Sequence, residues 1–223
     1  MLSAALTLAA KDLRAELRSR SALMSALLLA CLVLFVLYFA RDPTAVAPAL
    51  VAPGALWVTA AFAATTALNR AFQHEKEHGA IDGLLLAPIA REAIFLGKYL
   101  ANVAFTLAIE LLAVPLVVLF FNVDFGPVLG GMALLLPLTT LGFAAVGTVF
   151  GAITARAKHA ELLLPTLVMP FLVIPVVVGV QVTGRLLGGQ TLAEVAGWLR
   201  LLCVYDVIFI VLCLLVFPVV VRD

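Results

Sequence analysis

The sequence predicts an all-α integral membrane protein with six transmembrane helices, an amphipathic interfacial helix ahead of them, and a helical cytoplasmic segment between the second and third spans. Three observations predict it. First, 65% of the 223 residues are hydrophobic and 12% are charged, whereas a soluble domain is about 45–50% apolar and about 25% charged. A mean hydropathy of +1.20 agrees. Second, six apolar stretches reach the roughly 20 residues that a helix needs to cross a hydrocarbon core about 30 Å thick. Third, the cations are shared unequally between the segments that join those stretches. Ordinary cytosolic enzymes, nucleic-acid readers, disordered chains and disulfide scaffolds are excluded at this step.

Residues 1–20 place Leu2, Leu6, Leu13 and Leu17 at helical spacing, with Lys11, Arg14 and Arg18 on another face. Such a helix lies in the inner interface, its leucines in the acyl boundary, so membrane lipids are its expected partners. The first span, 21–40, follows Arg18 and Arg20 as a signal peptide would. Its apolar run exceeds the roughly 7–15 residues of a secretory core, and it reads as an uncleaved span. The remaining spans are 46–68, 99–121, 128–150, 162–183 and 201–221. Barrel strands would alternate apolar and polar residues over about ten positions. These runs are continuous, and only Glu110 and Asp206 carry charge within them. The chain 1–223 reads as one transmembrane domain.

With the N-terminus inside, the inner segments hold Lys11, Arg14, Arg18, Arg20, Arg70, Lys76, Arg91, Lys98, Arg156, Lys158 and Arg222; the outer ones hold Arg41, Arg185 and Arg200. That asymmetry places both termini in the cytoplasm. In the outer segment 184–200, Thr191–Leu199 is expected to be a short amphipathic piece on the outer surface, with Trp198 as an interfacial anchor.

The cytoplasmic segment 69–98 is the largest region outside the spans. A charged helical start, Arg70–His78, reaches Gly79, and a short apolar helix, Ile81–Ala87, ends at Pro88. Its leucines, Leu84, Leu85 and Leu86, need either the base of the bundle or a groove in another protein.

His74-Glu75-Lys76-Glu77-His78 matches the HExxH pattern, in which two histidines a turn apart hold zinc and the glutamate activates a bound water. The only other histidine, His159, lies in a different short loop, no ligand cluster follows, and Gly79 ends the helix. A charged surface helix is the better account, and no metal ligand is assigned. Gly97-Lys98 is no phosphate loop, because Glu92 and Tyr99 stand where glycine and Ser or Thr belong. Any ATP-driven work, with its magnesium, would therefore need a separate subunit. The three cysteines sit in apolar stretches without a CxxC pattern.

Glu110 lies near the bilayer midplane, where a carboxylate costs about 2.5–3.5 kcal/mol on insertion scales and must face protein or water. Two readings stay open: a proton- or substrate-responsive group, or a neutral packing residue bonded to Asn102, Thr106 or a polar group on another helix. Asp206, close to the start of its span, is expected to reach the outer interface. Gly147-xxx-Gly151 permits close helix packing. Pro165, Pro170 and Pro175 should bend the fifth span, neighbours taking up the freed carbonyls.

Ala52-Pro-Gly-Ala-Leu-Trp-Val58, Gly79 with Leu84-Leu-Leu-Ala-Pro88, Lys98, Thr140-Leu-Gly-Phe143 and Leu164-Pro-Thr-Leu-Val-Met-Pro-Phe-Leu-Val-Ile-Pro175 together resemble the haem exporter protein B (CcmB) family. The resemblance covers roughly residues 1–183; Asp82 and Gly83 depart from the longer side chains common there. It implies the fold of an ABC exporter transmembrane domain and a non-catalytic permease subunit for cytochrome c maturation in the bacterial inner membrane. The implied partners are a CcmA-like ABC ATPase, a second copy of the chain, a CcmC-like haem-handling membrane subunit and a small membrane subunit. ATP hydrolysis in the partner would drive release of a haem-loaded periplasmic chaperone, and this chain would bind no cofactor itself. By position, Glu75, Glu77, Gly79, Leu84, Leu85 and Pro88 would dock the ATPase. The same layout would serve an ABC export permease for another substrate.

Overall fold

A computed structural model describes residues 1–19, 21–42, 44, 46–77, 89–155 and 160–220. The described residues form seven α-helices and one 3-10 turn: α1 Leu2–Ser19, α2 Ser21–Ala40, α3 Pro48–Glu77, α4 Arg91–Phe121, the 3-10 turn Gly126–Val128, α5 Leu129–Ala155, α6 Ala160–Leu187 and α7 Leu192–Val220. Six stretches, in α2 to α7, are long and apolar enough to cross a membrane. Helices are the expected solution, because backbone N–H and C=O groups must pair within the chain where no water is available.

The ends of the helices depart from the expected spans. α3 continues through the second span to Glu77, and α4 begins at Arg91 rather than at Tyr99. Arg91 and Lys98 can belong to that helix because each finds a partner. The Arg91 guanidinium donates to the Pro218 carbonyl at the end of α7 (3.2 Å), and the buried Lys98 ammonium lies 3.5 Å from the Asp12 carboxylate of α1. The expected surface piece Thr191–Leu199 is also corrected, since it is the first part of a single helix, α7. Thr191 and Glu194 cap that helix: the Thr191 N–H and hydroxyl both donate to Glu194 Oε2, at 2.6 and 2.9 Å. Trp198 packs partly buried against the core, with the Arg185 guanidinium 5.6 Å from its ring centroid. α6 closes just before it at Gly189, whose φ of +85° suits a residue without a Cβ.

α1 lies along α4, with which it makes most of its contacts. Ala5, Leu8 and Asp12 form the face towards the bundle, and Gly97 leaves room there for Leu8 and the Ala5 carbonyl. Leu2, Leu6 and Leu17 stay exposed beside Lys11, Arg14 and Arg18, as a helix lying in the membrane interface requires.

α5 is the centre of the bundle. It packs against α3, α4, α6 and α7, and 67% of its spanning stretch is buried, against 17% for α2. Lipid tails give no hydrophobic drive between helices, so close packing and interhelical hydrogen bonds hold such a bundle together. Gly147 supplies one close approach, to Leu68 of α3. Gly142 supplies the tighter one, to α7.

α6, with Pro165, Pro170 and Pro175 inside it, shows how a freed carbonyl is used. Pro175 cannot donate to the Phe171 carbonyl, and the Tyr205 hydroxyl of α7 takes its place at 2.8 Å. Tyr205→Phe should therefore loosen α6 from α7 by about 0.6–1.7 kcal/mol. A lower unfolding midpoint of the purified protein checks it, and a midpoint equal to the parent's would show that the bond contributes nothing.

Candidate functional site

Glu110, the carboxylate that the bilayer should most resist, is buried between four helices. Its Oε2 lies 2.8 Å from the Thr140 hydroxyl and 3.5 Å from the Thr139 hydroxyl, both on α5. Of the partners expected from sequence, Asn102 is engaged elsewhere: its side-chain amide donates to the Thr148 hydroxyl at 2.8 Å. The polar group on another helix is the expectation that holds. The antiparallel arrangement explains the pairing. Glu110 lies eleven residues before the end of α4 at Phe121, and Thr140 lies eleven after the start of α5 at Leu129. Two helices joined by a short turn therefore bring them to one depth.

A small cavity opens beside Glu110. Trp57, Ala60, Ala61 and Ala64 of α3 form one wall, Thr139 and Phe143 of α5 another, and Leu172, Pro175 and Val176 of α6 the third. It has about 20 Å³ of room, enough for one water molecule. The Trp57 indole is fixed by a 2.9 Å hydrogen bond from Nε1 to the Thr183 hydroxyl.

Asp206 corrects its expectation. Because α7 starts at Leu192, Asp206 falls near the middle of a 29-residue helix and is buried instead of reaching the outer interface. Oδ1 lies over the Gly142 backbone, and among the described residues neither carboxyl oxygen has a hydrogen-bond partner beyond that backbone. Tyr205 lies beside it, and Tyr99 of α4 likewise has a buried hydroxyl without a hydrogen-bond partner among the described residues. Tyr99, Thr139, Thr140 and Tyr205 are the site residues that sequence reasoning did not assign. Two adjacent threonines inside an apolar run at the depth of a buried acid were the available signal for the central pair. The acids occupy two sides of α5, so one helix turn, residues 139–142, meets both.

Of the expected ATPase-docking residues, Gly79, Leu84, Leu85 and Pro88 lie outside the described residues; Glu75 and Glu77 fall within the last turns of α3. His78 of the HExxH pattern is also outside. The described residues contain no group of three or more His, Cys, Asp or Glu placed to hold a metal ion.

Six long apolar helices with buried polar residues between them define a polytopic membrane protein. Residues 3–223 match the family model described as CcmB protein. The chain is 31% identical over 186 residues to heme exporter protein B of Rhodobacter capsulatus, covering 83% of this chain and 84% of that protein. It is 29% identical over 179 residues to heme exporter protein B of Paracoccus denitrificans, covering 80% and 82%. The chain belongs to the CcmB family.

Proposed function

We infer that this chain is the membrane permease subunit of the haem-export ABC transporter of cytochrome c maturation, resident in the bacterial inner membrane. The observation that carries the reading is the family match over residues 3–223, with two relatives named heme exporter protein B aligned over four-fifths of the chain. The family is one of transporter subunits, not of enzymes, which sets aside the metalloprotease reading of His74-Glu75-x-x-His78.

ATP binds a separate CcmA-like subunit, because this sequence has no phosphate loop of its own. Two copies of each subunit work beside a CcmC-like haem-handling protein and a small membrane subunit. Hydrolysis drives release of the haem-loaded chaperone, with haem ligation residing in the partners. Both termini are cytoplasmic, on the grounds of the cation asymmetry.

The coupling element is the segment between α3 and α4. Its flanks, Glu77 and Arg91, are ends of long helices, and the Arg91 bond to Pro218 sets the second of them beside the end of α7. A push on the segment would therefore reach α3, α4 and, through Lys98 and Asp12, α1. Glu75, Glu77, Gly79, Leu84, Leu85 and Pro88 form the docking surface in this reading. Leu84→Asp combined with Leu85→Asp should abolish co-purification of the ATPase while leaving membrane insertion intact. Unchanged co-purification and coupled ATP hydrolysis would remove the segment from the interface.

A further inference from the structure

We propose that Glu110 is a neutral carboxylic acid that donates a hydrogen bond from Oε2 to the Thr140 hydroxyl and offers Oε1 to a single water molecule bound in the cavity beside it. The inference does not depend on what the transporter carries.

The argument is a count of protons. A threonine hydroxyl has one hydrogen to give, and a backbone carbonyl can only accept. Thr140 Oγ1 is 2.7 Å from the Leu136 carbonyl oxygen and 2.8 Å from Glu110 Oε2. Both distances are those of hydrogen bonds. Two full, unshared bonds at these distances require that Thr140 give its proton to Leu136 and receive another from Oε2. Thr139 is committed in the same way, with Oγ1 at 2.8 Å from the Leu136 carbonyl and 3.1 Å from that of Leu135. Its 3.5 Å approach to Oε2 contributes little.

Among the described residues, no cation lines the site to favour an ionised form. α3 presents an indole and three alanines, α6 presents Leu172, Pro175 and Val176, and α5 presents the threonines and Phe143. α2 approaches α4 through Ala26 and Ala30 beside Ile109. Asp206 of α7 lies on another side of α5, against Gly142. A carboxylate placed here would face low-dielectric walls with one shared hydroxyl proton for solvation.

Both hydrogen bonds that Glu110 makes among the described residues fall on Oε2, and Glu110 itself lines the cavity, which leaves Oε1 as the oxygen to meet a water there. The cavity is where it can face, and its room of about 20 Å³ suits one water. Such a water donates to Oε1 and to the Thr139 oxygen. These two polar partners meet the lower limit for an ordered buried water.

The test is infrared spectroscopy of the full-length chain in lipid nanodiscs at pH 7, in H2O and in D2O. A protonated-carboxyl C=O stretch should be present, should move with 13C-glutamate labelling of the unsubstituted protein, and should be lost in Glu110→Gln but kept in Asp206→Asn. It should downshift within minutes in D2O. Ala61→Leu, which fills the cavity, should keep the band and slow that shift at least tenfold. A spectrum without a label-sensitive protonated band would overturn the neutral acid. A band that does not shift in D2O over a day, or one whose shift Ala61→Leu leaves unchanged, would overturn the water site.

Discussion

Gly142→Ala should destabilise the protein by driving α5 and α7 apart. A Cβ there would stand 2.5 Å from Asp206 Oδ1 and 2.5 Å from Tyr205 Cε1. Neither neighbour can yield cheaply. Tyr205 is tied by its hydroxyl to the Phe171 carbonyl and packed at a 40° tilt against Phe209 with ring centroids 4.4 Å apart, and Asp206 has a short side chain in a buried site. Overpacking of this kind costs about 1–3 kcal/mol, and larger side chains would separate α5 from α7. The expected result is a severalfold loss of monodisperse protein from solubilised membranes and a lower unfolding midpoint. Gly130→Ala on the same helix is the control, because its Cβ would meet nothing within 4 Å. If the two variants behaved alike, the close approach of α5 to α7 at Gly142 would be wrong.

The same contact shows what the sequence conveyed and what it did not. The six spans were legible because an uninterrupted apolar run is a direct image of the lipid around it. Their ends were not. Arg91 and Lys98 look like markers of a cytoplasmic loop until the Pro218 carbonyl and the Asp12 carboxylate are seen beside them. A cation with a partner on another helix can begin a helix that a hydropathy boundary would start later. The start of α7 could have been read, since Thr191-x-x-Glu194 is a capping-box spacing just ahead of an apolar run. Missing it displaced Asp206 towards the membrane surface, when its true place is against α5. The proline run in α6 announced carbonyls that need donors from neighbouring helices, but only packing identifies Tyr205 as the donor to Phe171.

Glu110 was legible as an anomaly. Its partners were not, because nearby polar residues on the same helix, Asn102 and Thr106, compete on paper with Thr139 and Thr140 on the next. The structure decides by orientation, sending Asn102 to Thr148 and Glu110 to Thr140. It also makes the two open readings of this carboxyl separable, since a group valued for its charge and one valued for its shape and donor respond to different substitutions.

Glu110→Gln, Glu110→Asp and Glu110→Leu should therefore rank in that order of increasing harm to assembly in the first two cases, with Leu no better than Asp. Glutamine keeps the length, donates from its amide to the Thr140 oxygen and presents a carbonyl where Oε1 stood. Its membrane level and its yield of mature c-type cytochrome should stay within about twofold of the parent, because each 1.4 kcal/mol is a tenfold change and this swap preserves every bond of a neutral acid. Aspartate keeps the charge chemistry but withdraws the carboxyl by roughly one methylene from an acceptor now 2.8 Å away, leaving both the bond and the volume unfilled. Leucine removes the polar group, at a cost of about 1–2 kcal/mol for the interhelical bond in a membrane setting. Cytochrome yield is read against membrane level of each variant, so that a fall in both reports assembly and a fall in yield alone reports function. Aspartate outperforming glutamine, or glutamine assembling normally with its yield abolished, would show that ionisation of this carboxyl is what the transporter uses.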